Sequence, residues 1–381
     1  MNFLRTISSV IALSVFISSV PLMETSALEE KEITAPSAVL MDAKTGKVLY
    51  EKNPHEIRPC ASITKVMTLT LVMEALDSGK IKWDENVTAS SHAASMGGSD
   101  IWLEQGETMT VDDMVKATVV ASANDAAVAL AEHICGTEEE FVSEMNKKAK
   151  KLGMKDTVFK NCNGLDEDGH VTSAYDVALM SRELLKHKKI LEYSCIWMDE
   201  LRGGKTQIVN TNKLLKTYKG ITGLKTGTTS KAGSCISATA ERDGLSLIAV
   251  VLGSESGNMR FKDASKLLDY GFANYSMYLP SVPEEAVTEI PVNNGMHSKV
   301  RTTADIKAPV LIEKGGAEKI ESQVVLPEET EAPVEKGETL GKIIYKKSGK
   351  QIASYPITAD ESVSEINFSD VWPLFLKCLA G

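Results

Sequence analysis

The chain has 381 residues, of which 43% are hydrophobic, 25% charged and 6% aromatic. This composition is ordinary for a globular protein and excludes a disordered, collagen-like or disulfide-dense chain. The 42 basic and 52 acidic residues give a formal net charge of −10. The protein as a whole therefore has no attraction for a phosphate backbone, and nucleic acid is not expected as a partner.

The first 27 residues have the pattern of a secretory signal peptide. Arg5 precedes an uncharged run over residues 7–20, and Thr25, Ser26 and Ala27 supply the small side chains of a cleavage site. The uncharged run is too short to span a bilayer comfortably, which disfavours the alternative of a retained N-terminal anchor. We therefore predict that residues 1–27 are a signal peptide and that the rest of the chain is exported.

Apolar periodicity predicts alternating helices and strands up to about residue 279. Residues 38–51 alternate around a Lys44-Thr45-Gly46 turn, which indicates a hairpin. Helical spacing, capping residues and an Asp243-Gly244 turn predict the other elements. These are helices over residues 62–76, 111–120 and 125–134, helices after Thr137 and Ser173, strands over 221–229, 234–241 and 245–252, and a helix over 262–274.

The pattern changes near residue 280. Residues 280–365 hold short Val/Ile segments separated by Gly, Pro and Glu, which predicts a small all-β domain after a catalytic domain over residues 28–279. For residues 366–381 we predict an amphipathic anchor in a membrane interface. The alternative is a terminal segment docked on its own domain. Six large apolar side chains carry this prediction: Phe368, Val371, Trp372, Leu374, Phe375 and Leu376.

The cysteines do not form a recognisable metal motif. Neither a CxxC pair nor a Cys/His ligand spacing occurs, which argues against a zinc site. Export permits disulfides, but the wide spacing favours mostly free, buried thiols. The six residues are Cys60, Cys135, Cys162, Cys195, Cys235 and Cys378.

The sequence Ser62-Ile63-Thr64-Lys65 is the only SxxK in the chain, and it starts a predicted helix. At this spacing the Ser62 hydroxyl and the Lys65 amine share one helix face, so the amine can reach the hydroxyl. Burial and neighbouring cations can lower the pKa of a lysine until it serves as the base for a serine. The helix start also favours an anion forming at Ser62. A helix cap with a surface lysine is the alternative.

Two further motifs supply the other groups that such a serine needs. The run SAN at residues 122–124 falls in a small-residue break between two predicted helices, where a hydroxyl and an amide can face a cleft. The run KTGTT at residues 225–229 lies on a predicted strand, where Gly227 lets a substrate backbone approach closely. This set of motifs is typical of serine penicillin-binding enzymes and class A β-lactamases.

With these motifs the chain resembles the serine D-alanyl-D-alanine carboxypeptidases, low-molecular-weight penicillin-binding proteins of bacterial cell-wall metabolism. The resemblance extends from about residue 35 to 275 and includes ASITKVMT at 61–68, SANDAAVALAE at 122–132, NGLDEDGH at 163–170 and GLKTGTT at 223–229. It implies an α/β, penicillin-binding or β-lactamase-like catalytic domain. In that fold a mixed sheet flanked by helices lies beside a helical cluster, with the site between them and a small all-β domain following.

The resemblance also implies a role for each motif residue. Neutral Lys65 would take the proton of Ser62, which attacks the carbonyl of the penultimate D-alanine in a peptidoglycan stem pentapeptide. The oxyanion would lie between the backbone N–H groups of Ser62 and Thr228. Ser122 would protonate the departing D-alanine. The catalytic residues are then Ser62, Lys65, Ser122, Asn124 and Lys225, and the substrate-binding residues are Thr226, Gly227, Thr228 and Arg260. No metal or organic cofactor is required.

Several alternatives remain open at this point. A class A β-lactamase would share the motifs, but no RxExxLN-like run lies between Ser122 and Lys225. A D,D-endopeptidase on cross-links and a catalytically silent wall-binding protein are the others. Cys60 could replace Ser62 as nucleophile, although the matched motifs hold no histidine placed to activate it. The expected partners are stem peptides, β-lactam inhibitors and a membrane surface. The expected location is the cell wall or the outer face of the cytoplasmic membrane.

Overall fold

A computed structural model of the protein describes residues 28–314 and 320–380. The predicted signal peptide, residues 1–27, lies outside the described residues. The helices are α1 Lys65–Asp77, α2 Ser91–Ala94, α3 Val111–Val120, α4 Asn124–Cys135, α5 Glu138–Leu152, α6 Ala174–Leu184, α7 Ile190–Ser194, α8 Leu214–Thr217, α9 Gly257–Asn274 and α10 Phe368–Ala380.

The strands of the catalytic part are β1 Ser37–Asp42, β2 Val48–Lys52, β3 Asn86–Thr88, β4 Thr108–Thr110, β5 Met198–Leu201, β6 Thr206–Val209, β7 Ile221–Thr229, β8 Gly233–Arg242 and β9 Leu245–Ser254. Those that follow are β10 Tyr275–Tyr278, β11 Glu289–Asn293, β12 Lys299–Thr303, β13 Val310–Glu313, β14 Ile320–Val325, β15 Thr330–Glu331, β16 Thr339–Lys347 and β17 Lys350–Ala359.

A sheet in the order β2-β1-β9-β8-β7 organises the catalytic part of the described chain. β1 and β2 form the predicted hairpin, and β7, β8 and β9 match the three predicted strands to within two residues at either end. Every pairing in this sheet is antiparallel, so the mixed sheet that the resemblance implied is wrong in that detail. β7 lies at the edge of the sheet, which leaves one of its sides without a neighbouring strand.

The sheet separates two hydrophobic cores because successive side chains of a strand face opposite sides. Leu40 and Leu247 pack on α9, whereas Met41 and Ile248 pack on the cluster that contains α1, α3, α4 and α6. α9 begins before the predicted start at residue 262 because Ser256 Oγ accepts from Met259 N at 3.3 Å and caps the helix. The fold class is as predicted.

The predicted helix over residues 62–76 is divided in two. α1 begins only at Lys65, and Ala61–Thr64 form a separate 3-10 turn that carries Ser62. The turn is forced out of helical geometry by Ala61, whose φ of +52° is left-handed. Ser62 and Lys65 are therefore brought together by a turn entering a helix rather than by a helix face, which corrects the sequence prediction.

The C-terminal part is the predicted all-β unit. Its sheet has the order β14-β16-β17-β12-β11-β15 among the described strands. The pairing of β10 with β13 joins this part to the end of α9. Beyond it, α10 contains Pro373 and leaves Phe368 77% and Leu376 47% exposed, while the side chains of Leu374, Phe375 and Cys378 lie outside the described set. None of the described helices is long and apolar enough to cross a bilayer.

Gly164 offers a test of how tightly the loop at residues 160–170 lies under the Ser62 turn. It has φ +90°, and a Cβ there would lie 2.1 Å from the Ala61 carbonyl oxygen. Gly153 has a similar φ of +76° with nothing within 4 Å of its added Cβ. We expect Gly153→Ala to cost about 1–2 kcal/mol of the free energy of unfolding, and Gly164→Ala about 1–3 kcal/mol more. Urea denaturation measures both, and equal losses would contradict the contact.

Candidate active site

The site begins at the 3-10 turn, which presents Ser62 partly exposed while Ala61, Ile63 and Thr64 are buried. Gly227 on β7 lies directly against this turn. A Cβ on Gly227 would lie 2.8 Å from the Cys60 carbonyl oxygen and 2.9 Å from the Ser62 nitrogen. The missing side chain therefore makes room for the protein's own nucleophile turn. The expectation that Gly227 makes room for a substrate backbone is therefore corrected, because the protein's own backbone fills that space.

The amine of Lys65 is fully buried and surrounded by three oxygens. Nζ lies 3.1 Å from Ser62 Oγ, 2.5 Å from Asn124 Oδ1 and 2.6 Å from the Asn163 carbonyl oxygen. An ammonium group could donate to all three acceptors. A neutral amine has only two N–H bonds, and donating them to Asn124 and Asn163 leaves the lone pair facing the Ser62 hydroxyl.

Burial lowers the pKa of Lys65 to about 7 because an ammonium group loses its hydration inside the protein. Three acidic groups oppose this shift, namely Cys162 on the loop below, Asp100 and Asp125. Asp125 is itself held by the backbone N–H groups of Ile101 and Leu103, at 3.1 Å and 3.0 Å from Oδ2. Lys65 can therefore lose its proton near neutral pH, as a base for serine must.

Ser122 and Asn124 lie where α3 turns into α4. Ser122 is non-glycine yet has φ +63°, so the backbone is strained at the residue that presents its hydroxyl. The Asn124 amide is fixed from both ends: Oδ1 accepts from Lys65, and Nδ2 donates to the Gly97 carbonyl at 2.6 Å. These bonds assign the orientation of the Asn124 side chain, which leaves its oxygen for the lysine.

Lys225 connects β7 to the helical cluster. Its buried Nζ donates to Ser122 Oγ at 2.8 Å and to the Thr226 carbonyl at 3.1 Å. Burial, then the positive charges of Lys65 and Arg260, hold the pKa of Lys225 well below its ordinary value. The charges of Lys65 and Arg260 therefore disfavour protonation of Lys225, and an anionic ligand would offset that effect.

Three of the predicted substrate-binding residues, Thr226, Gly227 and Thr228, lie on β7, and the fourth lies on α9 beside it. Arg260, on the first turn of α9, donates through Nη1 to Thr228 Oγ1 at 2.8 Å and to the Gly227 carbonyl at 2.9 Å. Thr226 Oγ1 lies 2.5 Å from Thr211 Oγ1. Arg260 thus reaches the site from a helix, and the structure brings all nine predicted residues together where the edge strand meets the helical cluster.

Three contributors to this site were not identified from the sequence. Asn163 supplies a backbone carbonyl, which no side-chain motif reveals, although the following Gly164 marks the sharp turn that directs it. Thr211 shares a hydrogen bond with Thr226 from a loop distant in sequence. His170 is 4% exposed and lies 2.7 Å from Thr64 Oγ1. The sequence signal for His170 is its position in the matched run NGLDEDGH at residues 163–170.

The cysteines described in the structure make no disulfide. Cys60, Cys162 and Cys235 are buried, Cys135 is half-buried, and Cys195 is exposed. Burial raises the pKa of the Cys60 thiol to about 12, so the reactive thiolate is scarce at neutral pH. His170 reaches Cys60 only through the Thr64 hydroxyl, 3.4 Å from Sγ. These features argue against Cys60 as the nucleophile.

The arrangement is that of an acyl-transfer enzyme in which a lysine activates a serine. The Ser62 hydroxyl faces the buried Lys65 amine, which can be neutral. Ser122 accepts a hydrogen bond from Lys225, and Thr228 and Arg260 could bind a carboxylate. A sheet edge beside the nucleophile allows a peptide to add as a further strand. Together the fold and the site define a serine hydrolase of the penicillin-binding type.

Comparison with known proteins agrees with this class. The family model described as D-alanyl-D-alanine carboxypeptidase matches residues 23–256, and that of the penicillin-binding protein 5 C-terminal domain matches residues 275–365. The D-alanyl-D-alanine carboxypeptidase DacF of Bacillus subtilis (strain 168) is 44% identical over 88% of this chain and 87% of its own. The chain therefore belongs to the D-alanyl-D-alanine carboxypeptidase family, which is a family of serine hydrolases.

Solved structures extend the likeness to the whole architecture. Penicillin binding protein 5 from Haemophilus influenzae matches with a TM-score of 0.75 and 32% identity, over 89% of this chain and all of its own. Penicillin-binding protein D2 from Listeria monocytogenes, solved in its ampicillin-bound form, matches with a TM-score of 0.58 and 37% identity, over 62% of this chain and 97% of its own.

The choice between Ser62 and Cys60 as nucleophile can be tested by covalent labelling with a fluorescent penicillin. We expect Cys60→Ala to be labelled at a rate within about threefold of the unmodified protein, because a protonated buried thiol does not attack. Ser62→Ala should not be labelled. The exposed Cys195→Ala serves as the matched control for loss of a thiol. Labelling that survives in Ser62→Ala and disappears in Cys60→Ala would reverse the assignment.

Proposed function

We propose that this protein removes the terminal D-alanine from peptidoglycan stem pentapeptides through an acyl-enzyme on Ser62, and that β-lactams inhibit it by acylating the same hydroxyl. The observation that carries the proposal is the position of Lys65, buried and 3.1 Å from Ser62 Oγ. Family membership and the ampicillin-bound relative support the substrate and the inhibitor class.

Acylation starts with Lys65 neutral. Its two N–H bonds go to Asn124 Oδ1 and the Asn163 carbonyl, so the lone pair accepts the Ser62 proton as Oγ attacks the penultimate carbonyl carbon. Positive charge that develops on Nζ is stabilised by the same two oxygens. Backbone N–H groups of Ser62 and Thr228 receive the oxyanion. Losing one such donor generally costs about 3–4 kcal/mol of transition-state stabilisation.

Collapse of the tetrahedral intermediate breaks the C–N bond, and the departing D-alanine nitrogen needs a proton. Ser122 Oγ supplies it and is reprotonated at the expense of the Lys65 ammonium. Lys225 Nζ donates a hydrogen bond to Ser122 Oγ at 2.8 Å and keeps the hydroxyl in place during this proton transfer. Lys65 is then neutral again and takes a proton from a water molecule as the water oxygen attacks the ester carbonyl. When the C–O bond to Ser62 breaks, Lys65 returns that proton to Ser62 Oγ and the shortened peptide leaves with a free carboxylate.

Side chains on β7 and on the first turn of α9 bind the terminal carboxylate. The Thr226 and Thr228 hydroxyls donate to the carboxylate, and Arg260 and Lys225 supply positive charge. Because Arg260 already donates to Thr228 Oγ1, the Thr228 hydroxyl keeps its own hydrogen for the ligand. The incoming anion offsets the mutual repulsion of the buried bases, which favours substrates that end in a free carboxylate.

The decisive experiment incubates the purified protein with a peptide that ends in D-Ala-D-Ala and identifies the products by mass. We expect one D-alanine per peptide, no release after preincubation with penicillin, and none from Ser62→Ala. The rate should rise with pH through about 7, because Lys65 accepts a proton only when deprotonated and its pKa is about 7. Lys65→Met should lower the rate on the order of 10²–10⁴-fold.

Two results would contradict the proposal. Rapid turnover of penicillin without D-alanine release would indicate a β-lactamase instead. An acid limb displaced towards pH 10 would show that burial does not lower the pKa of Lys65 far enough for it to act as a base near neutral pH.

We further propose that the chain is exported by its N-terminal signal and acts at the outer face of the cytoplasmic membrane, held there by α10. The motif of residues 1–27 and the exposed apolar side chains of α10 support this location. Phe368 stacks on Trp372 with ring centroids 5.3 Å apart, and Phe368, Val371 and Leu376 are all at least 40% exposed. Such a surface suits an interfacial helix better than a segment docked on its own domain.

Vesicle flotation tests the membrane contact. We expect the chain without residues 1–27 to float with vesicles of phosphatidylethanolamine and phosphatidylglycerol, and Phe368→Glu combined with Leu376→Glu to abolish flotation, because charges on the apolar face cannot enter the interface. Val287→Glu, at a 52% exposed position of the β domain, is the matched control and should still float. Equal flotation of all three proteins would refute the role of α10.

A further inference from the structure

His170 is a buried titratable group that the proposed mechanism does not use. Its Nδ1 accepts from the Lys160 backbone N–H at 3.1 Å, and its Nε2 lies 2.7 Å from Thr64 Oγ1. A backbone N–H can only donate, so Nδ1 is the unprotonated nitrogen and Nε2 carries the hydrogen. His170 therefore donates to the Thr64 hydroxyl.

Both hydrogen-bond partners of His170 lead to the base. Thr64 is fully buried and immediately precedes Lys65. Lys160 opens the segment of residues 160–170, which is closed by the bridge between Val158 and Val171 and carries the Asn163 carbonyl to Lys65 Nζ at 2.6 Å. The imidazole thus joins the loop under the active site to the turn that bears the nucleophile.

Other contacts hold the opposite side of the same loop. The Thr68 hydroxyl donates to the Cys162 carbonyl at 2.5 Å, and the Cys162 N–H donates to Glu138 Oε1 at 2.8 Å. These bonds attach the loop to α1 and α5. Without His170 the loop remains attached to the helices, and what it loses is the hydrogen bond to the turn.

The ring is suited to this position only when it is neutral. Burial lowers the pKa of His170 to about 4, against a weaker opposing effect of Glu167 and Asp166. A protonated ring would point Nδ1–H at the Lys160 N–H, two donors facing each other. Across the working range of the enzyme the hydrogen bonds of His170 are therefore intact.

We propose that His170 is a positioning residue for the lysine base, which keeps residues 160–170 closed on the Ser62 turn so that the Asn163 carbonyl meets Lys65 and water stays out. This inference rests on the proposed function. His170 affects Lys65 through hydration. If the loop separates from the turn, water reaches Nζ and the pKa of Lys65 rises towards its ordinary value.

The other groups that face Lys65 do not change in this comparison. Cys162 lies on the loop itself, but burial raises the pKa of its thiol well above the ordinary value, so near neutral pH it carries no charge that could move with the loop. The groups outside the loop are Ser62 and Asn124, the carboxyl groups Asp100 and Asp125, and the second lysine, Lys225. Their charges act equally in the presence and absence of the imidazole. A displaced acid limb therefore reports a change in the hydration of Lys65.

The experiment measures the second-order rate of acylation by a fluorescent penicillin between pH 5 and 9, using the full exported chain. We expect His170→Ala to move the midpoint of the acid limb upwards by on the order of one pH unit, from about 7 to about 8, with about a fivefold loss of rate at pH 7. His170→Gln, whose amide can accept from Lys160 and donate to Thr64, should restore most of both. His187→Gln, which removes a ring bonded to Asp77 away from the site, is the matched control and should behave as unmodified protein.

An unchanged midpoint with a uniformly reduced rate in His170→Ala would overturn the inference, because it would mean only a smaller fraction of folded protein. If His170→Ala does not fold, Thr64→Val replaces it. This variant keeps the buried shape but removes the acceptor, and it should displace the midpoint in the same direction. Failure of unmodified protein to be acylated at all would instead defeat the proposed function, so the two failures are distinguishable.

Discussion

A lysine amine buried beside a serine hydroxyl is the constraint on which the rest of the structure depends. Burying an ammonium group costs free energy unless an opposite charge pairs with it. The pKa of an unpaired buried lysine therefore falls, and the neutral amine becomes the favoured form. Three oxygens around Lys65 Nζ accept hydrogen bonds from it, and no carboxylate among the described residues bonds to it directly, so the neutral form stays accessible near pH 7. Activation of Ser62 follows from that balance.

The surroundings of Lys65 come from four separate parts of the chain. The 3-10 turn brings Ser62, the strained link between α3 and α4 brings Asn124, β7 brings Lys225, and the loop at residues 160–170 brings the Asn163 carbonyl. Contacts between backbones set the spacing: Gly227 lies against the Ser62 nitrogen, and Gly164 against the Ala61 carbonyl. The backbones can approach so closely because both positions lack side chains. The geometry of the site is therefore sensitive to a single added carbon.

Electrostatics give the cleft its selectivity for an anion. Lys65, Lys225 and Arg260 are buried near one another, and the positive charges of Lys65 and Arg260 add to the effect of burial in lowering the pKa of Lys225. Arg260 and Thr228 are already hydrogen-bonded before any ligand arrives, so little reorganisation is needed when a carboxylate binds. A positive, preorganised edge strand next to a nucleophile is suited to a peptide that ends in a free acid.

Much of the fold and of the site could be predicted from the sequence because local residue patterns specify them. Strand alternation located β7, β8 and β9, and the motifs around Ser62, Ser122 and Lys225 indicated the family and the class of reaction. Chain pattern alone could not place the start of α1, since it does not reveal the left-handed Ala61 or the distant glycines that lie against the turn.

Only the tertiary structure decided which groups surround the base. The Asn163 carbonyl has no side-chain signature, and the ring of His170 becomes relevant solely because folding places it between Lys160 and Thr64. The same holds for the space beside Gly227, which is filled by the protein's own turn. Residue types and spacing thus determined the chemistry available to the chain. The distances and the desolvation that make the chemistry possible arise from long-range packing, which no local pattern contains.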